Sequence, residues 1–345
     1  MALIELSERG LFCPEGGFYI DPWAPVERAV ITHAHSDHAR WGSRAYLTSA
    51  AGAGVLRTRM GPDAAIRALP YGEVIAINGV DVSLHPAGHI LGSAQVRVAR
   101  GGEVWAISGD YKTAGDDPTC APFEPVRCHT FVSEATFALP IYRWEPQATV
   151  FAEINAWWRA NQAAGRASML LGYALGKAQR LLAGLDPSIG PIFCHGAVER
   201  LNRDYRAAGV PLPPTRYTGD AERGFDWSQA LIVAPPSAHG TPWSRRFGDV
   251  SAAFASGWMR IRGARRRRAV DRGFVISDHA DWPGLLDAIA ATGAERVWAT
   301  HGYTAVLARW LEEQGLEAFA VPTRFEGEQG EAEELPDEPP APADG

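Results

Sequence analysis

The sequence predicts an α/β protein with a strand-rich opening third, an inserted unit of alternating strands and helices, and a short return segment. Three observations carry this prediction. Two hairpin signals fall within the first 110 residues. From about residue 146 the apolar pattern switches to helical spacing and then alternates with short strands. After residue 272 a strand–helix–strand–helix texture resumes.

The elements follow in order. Gly16-Gly17-Phe18-Tyr19-Ile20-Asp21 reads as a turn and a strand ending in a carboxylate. Arg28-Ala29-Val30-Ile31 reads as a buried strand leading into Thr32-His33-Ala34-His35-Ser36-Asp37-His38, and a helix is expected to start after Asp37. Arg44–Thr48 is a strand and residues 49–60 hold a helix. Glu73–Ile77 and Val80–Leu84 flank Asn78-Gly79, the pair that supplies the two positive-φ positions of a type I′ turn. A second hairpin runs from Gln95 to Ile107 around Arg100-Gly101-Gly102.

In the middle of the chain Val150, Phe151, Ile154, Trp157 and Trp158 mark one apolar helix face, and both tryptophans read as core. Strands at 169–171, 191–194 and 230–234 alternate with helices from Lys177 and over 197–208, which suggests a parallel sheet. Gly273–Ser277 is then a strand, 283–291 a helix and Arg296–Thr300 a strand. A final helix after Gly302 is expected to bury Val306, Leu307, Trp310 and Leu311, with Gly315 as its cap.

Bulk properties limit the function classes. At 345 residues and 46% hydrophobic content, the chain can bury a sizeable core. No apolar run approaches the ~20 residues that cross a bilayer, and no signal peptide is apparent, so no membrane partner is expected. The cysteines Cys13, Cys120, Cys128 and Cys194 are scattered without C-x-x-C spacing, which points to a reducing, cytoplasmic setting. Residues 326–345 carry eight acids and no Lys or Arg, so the remainder of the −7 chain sums to +1. That acidic, Pro-rich tail is expected to be disordered, and it reads more simply as solubilising than as a nucleic-acid mimic.

The chemistry concentrates in His33-x-His35-x-Asp37-His38. Three imidazoles and a carboxylate within six residues suit zinc, with manganese the alternative. His33 and His35 share a face on extended chain, whereas Asp37 and His38 point elsewhere, which suits two neighbouring ions. One loop cannot close such a site. His89 after Pro86-Ala87-Gly88, Asp110 after Ser108-Gly109, and His301 in Thr300-His301-Gly302 are the further candidates, each at a strand end.

In this order the motifs resemble the metallo-β-lactamase fold hydrolases, and within them the β-CASP group that cleaves nucleic acids. The likeness covers residues ~15–320. It implies a four-layer αββα sandwich over 1–140 and 272–325, with a β-CASP-like cap inserted at 141–271. It implies that His33, His35 and His89 hold one divalent metal, that Asp37, His38 and His301 hold a second, and that Asp110 bridges them. Such a pair shares a water and supplies hydroxide for phosphodiester hydrolysis. Ser133-Glu134-Ala135-Thr136 matches the group's acidic motif, Ser277-Asp278-His279-Ala280-Asp281 its first added histidine motif, and His301 its second. His279 is then the general acid or phosphate contact, oriented by Glu134, and Asp21 is a partner that orients a ligand histidine. His85, His129, His195 and His239 match no motif.

The wording T-H-A-H-S-D-H-A, P-A-G-H-I-L-G-S-A, I-S-G-D-Y, I-S-D-H-A-D-W and T-H-G-Y is similar to the bacterial ligase-associated DNA exonuclease family. That resemblance implies a DNA exonuclease acting in repair, in a pathway with an ATP-dependent DNA ligase and a helicase. The nearest alternative is a β-CASP ribonuclease like the mRNA 3′-end processing enzymes. A small-molecule hydrolase would not need Glu134, His279 or a cap, and a non-catalytic nucleic-acid-binding scaffold would not need all seven ligands. Arg260, Arg262, Arg265, Arg266, Arg267, Arg268 and Arg272 crowd the approach to His279, and Arg265–Arg268 are expected to bind phosphate. Lys177, at a glycine turn opening a helix, is a further candidate phosphate contact.

Overall fold

A computed structural model describes residues 2–115, 117–261 and 270–323 of the chain. Arg265–Arg268 and the acidic stretch 326–345 lie outside the described residues. The chain divides into two compact units, one of Met1–Arg143 with the segment from Asp278, the other of Trp144–Ser277. Among the described residues no helix is long and apolar enough to cross a membrane.

The first unit opens with a six-stranded sheet in sequential order: β1 (Glu5–Ser7), β2 (Gly10–Cys13), β3 (Phe18–Ile20), β4 (Ala29–Val30), β5 (Tyr46–Ser49) and β6 (Ile66–Leu69). Helix α1 (Ala53–Met60) joins the last two strands. From β3 onwards the pairs are parallel. Hairpin strands β7 (Val74–Ile77) and β8 (Val80–Pro86) meet at Asn78 and Gly79, both at positive φ as a type I′ turn requires. Strands β9 (Ala94–Arg100), β10 (Glu103–Ile107) and β11 (Thr130–Ala135) continue this second sheet.

The second unit holds α2 (Gln147–Ala163), β12 (Ala167–Leu171), α3 (Lys177–Ala183), β13 (Ile192–Cys194), α4 (Gly196–Ala207), β14 (Arg216–Tyr217), β15 (Leu231–Ala234), the short α5 (Pro242–Arg245), β16 (Val250–Ala255) and β17 (Arg272–Phe274). Its six strands pair in parallel in the order β14-β13-β15-β12-β16-β17. Trp157 and Trp158 are buried, as their spacing predicts. The strand expected over 273–277 stops at Phe274, because its neighbour β16 ends at the paired Ala255 and the ladder has no further partner. These residues therefore complete the inserted unit's sheet.

The chain then returns to the first unit with α6 (Trp282–Thr292), β18 (Arg296–Gly302), α7 (Thr304–Glu313) and β19 (Glu317–Ala320). β18 pairs in parallel with both β11 and β19, giving a seven-stranded sheet ordered β19-β18-β11-β10-β9-β8-β7. Strand alternation divides its side chains between two cores. Trp105, Ile107 and Val132 pack with Phe18, Ile20 and Val30 of the first sheet. Ala106, Phe131, Val297 and Ala299 face Leu285, Ile289, Leu307 and Leu311 of the two helices. Val306, expected in that apolar stripe, is exposed; one residue before Leu307, it is turned about 100° away from the buried face.

Phe131 is wholly buried between β11 and these helices. Phe131→Ala should lower unfolding free energy by about 3–5 kcal/mol in urea titrations. A loss below about 1 kcal/mol would contradict a continuous core there.

Candidate metal centre

Backbone direction assembles the site. β8, β10, β11 and β18 all run the same way, since β8 and β10 each pair antiparallel to β9 while β10, β11 and β18 are mutually parallel. Their C-terminal ends therefore open on one edge, and they deliver His89, Asp110, Glu134 and His301. In the facing sheet the parallel β3 and β4 deliver Asp21 and the His33–His38 loop. Close approach at this edge depends on glycine. A Cβ on Gly88 (φ +76°) would lie 2.2 Å from the Lys112 carbonyl oxygen, and one on Gly109 would lie 2.5 Å from the Thr32 hydroxyl.

The expected helix after Asp37 is absent. His35 to Ala39 make a single turn, in which the His35 carbonyl accepts from the amides of His38 (3.2 Å) and Ala39 (2.8 Å). The turn aims Asp37 and His38 inward, and Gly42 at φ +97° ends any continuation.

All seven sequence-predicted ligands converge. His33, His35, His89 and Asp110 form one group able to hold a metal ion, and Asp37, His38 and His301 form another. The Nδ1 of His35 lies 3.0 Å from His33 Nε2 and 3.1 Å from His89 Nε2. Asp110 Oδ2 stands 3.6 Å from His33 Nε2, 3.5 Å from His38 Nε2 and 3.8 Å from His89 Nε2, and so lies between the groups.

Acceptors behind the rings fix their orientation. His38 Nδ1–H donates to Asp21 Oδ2 (2.7 Å), and His89 Nδ1–H donates to the Asp278 carbonyl (2.9 Å). In both rings this turns Nε2 toward the cluster, with its lone pair presented there in the neutral His89. Asp21 also accepts the Thr32 amide (2.8 Å) and hydroxyl (2.5 Å). Asp21 (φ +43°) and His301 (φ +55°) adopt left-handed backbone conformations uncommon for non-glycine residues. Thr32 and the Asp278 carbonyl are supports that sequence reasoning missed. Only their places beside His33 and His279 in the motifs pointed to them.

The donor set fits cations. Asp37 Oδ1, His38 Nε2 and His301 Nδ1, one atom from each member of the second group, are buried without a hydrogen-bond partner. Buried polar atoms are rarely left so, and a cation held among these residues would satisfy all three. Electrostatics agree. Burial, reinforced by neighbouring imidazoles, pushes His33, His89 and His301 below the usual histidine range, so each presents a neutral ring. Asp110 is held well below the carboxylate range: burial opposes this, but His38 and its neighbours outweigh it. His38 is the exception. Burial would lower it, yet Asp110, Asp37 and Asp21 together raise it well above its ordinary value.

Beside the two groups, His279 Nδ1 lies 2.8 Å from Glu134 Oε2, and the Tyr111 amide donates to Glu134 Oε1 at 2.7 Å. Glu134 is wholly buried, and burial raises its pKa, as does Asp110, against the opposing effect of His279. His279 Nε2 lies 4.0 Å from Asp278 Oδ1. Lys177, in the second unit, is wholly buried at the start of α3.

No family model matches the chain. It is 33% identical over 318 residues to a protein of Opitutus terrae named probable DNA ligase, covering 90% of this chain and 30% of that one. The chain thus spans under a third of that relative's length. It is 29% identical over 122 residues to the endoribonuclease YSH1 of Candida albicans, covering 35% of this chain and 14% of that one. In fold it is similar to a crystal structure of a protein of unknown function from Enterococcus faecalis V583, with a TM-score of 0.58, 12% identity, and coverage of 86% of this chain and 79% of that one.

Because His38 holds its proton above the ordinary pKa of 6.5, a cation entering the second group must displace it. Calorimetry in buffers of different ionisation enthalpy should show proton release on zinc or manganese binding at pH 7, with affinity falling as pH is lowered. Binding without proton release would contradict the His38 assignment. Asp21→Asn should weaken metal binding roughly 10–100-fold.

Proposed function

We propose that this protein is a metal-dependent DNA exonuclease, built on a metallo-β-lactamase sandwich with a β-CASP-like cap and working in repair alongside a DNA ligase and a helicase. The observation that carries this reading is the pair of ligand groups on either side of Asp110, with a His279–Glu134 pair beside them. A lactamase-type site needs the first feature and not the second. His33, His35 and His89 would hold one divalent ion, Asp37, His38 and His301 the other, and Asp110 both; zinc suits this imidazole-rich set, and manganese is the alternative. When bound, such a pair lowers the pKa of a shared water and neutralises charge developing on a phosphoryl oxygen.

The chain's own residues supply the remainder. Glu134 accepts the Nδ1–H of His279, so the ring keeps one orientation and turns Nε2 away from the Glu134 carboxylate. The protonated ring donates from Nε2 to the departing oxygen as the P–O bond breaks. Tyr111 fixes Glu134 through its amide and the Ala280 amide through its carbonyl, so both ends of the pair hang on the residue after Asp110. DNA is favoured over RNA because the likeness to the protein named DNA ligase extends over 90% of this chain, against 35% for the endoribonuclease. The four free cysteines among the described residues suit a cytoplasmic setting.

End-labelled single- and double-stranded DNA and matched RNA, digested with zinc or manganese present, test this. DNA should shorten progressively from an end, and Asp37→Ala should be inert. His279→Ala should lower kcat by about 10²–10⁴-fold with metal content unchanged. Cleavage of RNA alone would transfer the reading to a ribonuclease. Inertness toward both, with metal fully loaded, would leave a binding scaffold.

A further inference from the structure

We propose that Trp41 is a stacking platform for an unpaired base of the nucleic-acid strand beside the metal centre, an inference that rests on the nuclease reading above. Trp41 is 74% exposed, the most exposed large apolar side chain among the described residues. The chain buries other indoles readily, Trp105 and Trp158 completely, so exposure here is not forced by a lack of core.

The indole is exposed but its backbone is fixed. The buried Tyr46 hydroxyl donates to the Arg40 carbonyl (2.8 Å) and accepts from the Ser43 amide (2.9 Å), closing a loop with Trp41-Gly42 at its tip. Ser43 Oγ accepts the Val26 amide (3.1 Å), and the Arg44 amide donates to the Val26 carbonyl (3.0 Å). Gly42 turns the tip at φ +97°. A phenol spent on holding a solvent-facing loop presents its aromatic residue at little further entropy cost on binding.

Position and chemistry choose the occupant. Trp41 is three residues past His38, and three residues reach at most about 11 Å, so its Cα lies within about one or two nucleotide spacings of the His38 Cα. Its chain neighbours are Arg40, Gly42, Ser43 and Arg44. Two of those neighbours are basic, Arg44 being ion-paired with Glu27 at the surface (3.2 Å), and an exposed aromatic face on basic chain is the usual platform for single strands. Stacking tolerates any base, because every base has a π-face.

The test uses wild-type, metal-loaded protein and a short phosphorothioate oligonucleotide that resists hydrolysis. Trp41→Ala should bind it roughly 5- to 100-fold more weakly, Trp41→Phe should retain most of the affinity, and the salt dependence should be unchanged because stacking releases no counterions. Tyr46→Phe should lose part of the affinity. A single abasic position moved along the oligonucleotide should weaken the wild type at one or two places nearest the cleaved bond and leave Trp41→Ala indifferent there. Wild-type affinity in Trp41→Ala, or an abasic penalty that persists in it, overturns the platform. A wild type that neither binds nor cuts nucleic acid overturns the nuclease reading itself, before any variant is compared.

Discussion

Everything at this site depends on strand direction. Four strands of one sheet and two of the other end at a common edge, and each end carries an imidazole or a carboxylate one to three residues beyond, or within, its last paired residue. Backbone hydrogen bonding settles that convergence before any side chain contributes. It lets residues as distant in sequence as His33 and His301 share one small volume. Glycines at the strand ends then allow main chain to approach within distances a Cβ would forbid.

The second layer of order is electrostatic. A buried cluster of imidazoles and acids is expensive unless its charges are matched. Here the matching runs through backing acceptors. Asp21 takes three hydrogen bonds, the Asp278 carbonyl one and Glu134 two, and each turns a ring or a loop to face inward. Neutral rings at His33, His89 and His301 stand beside an ionised Asp110 and a proton-retaining His38. That division suits cations gathered around Asp110.

Much of this was legible in the sequence because dense short motifs sit at predictable strand ends. The Asn78-Gly79 hairpin, the buried Trp157-Trp158 face and the alternation of the inserted unit follow from local pattern alone. What local pattern misses is set by partners far away in the chain. The residues after Asp37 carry no strong helix breaker before Gly42, yet the ladder-bound Tyr46 pins them as a loop. The strand at Gly273 ends where β16 ends, which no property of Val275 or Ile276 reveals. Left-handed backbone at Asp21 and His301 is imposed by surrounding structure and leaves no compositional trace. Lys177 reads as a candidate phosphate contact from its glycine turn, and its burial is set by tertiary packing that the local pattern does not show.

The pairing of β18 with β11 also orders events in time. The inserted unit separates those strands in sequence, so β11 leaves the ribosome long before its neighbour exists. Until then the growing protein holds the first histidines without His279 or His301. The buried cluster of imidazoles and carboxylates therefore cannot close on the nascent chain until β18 has emerged and paired with β11.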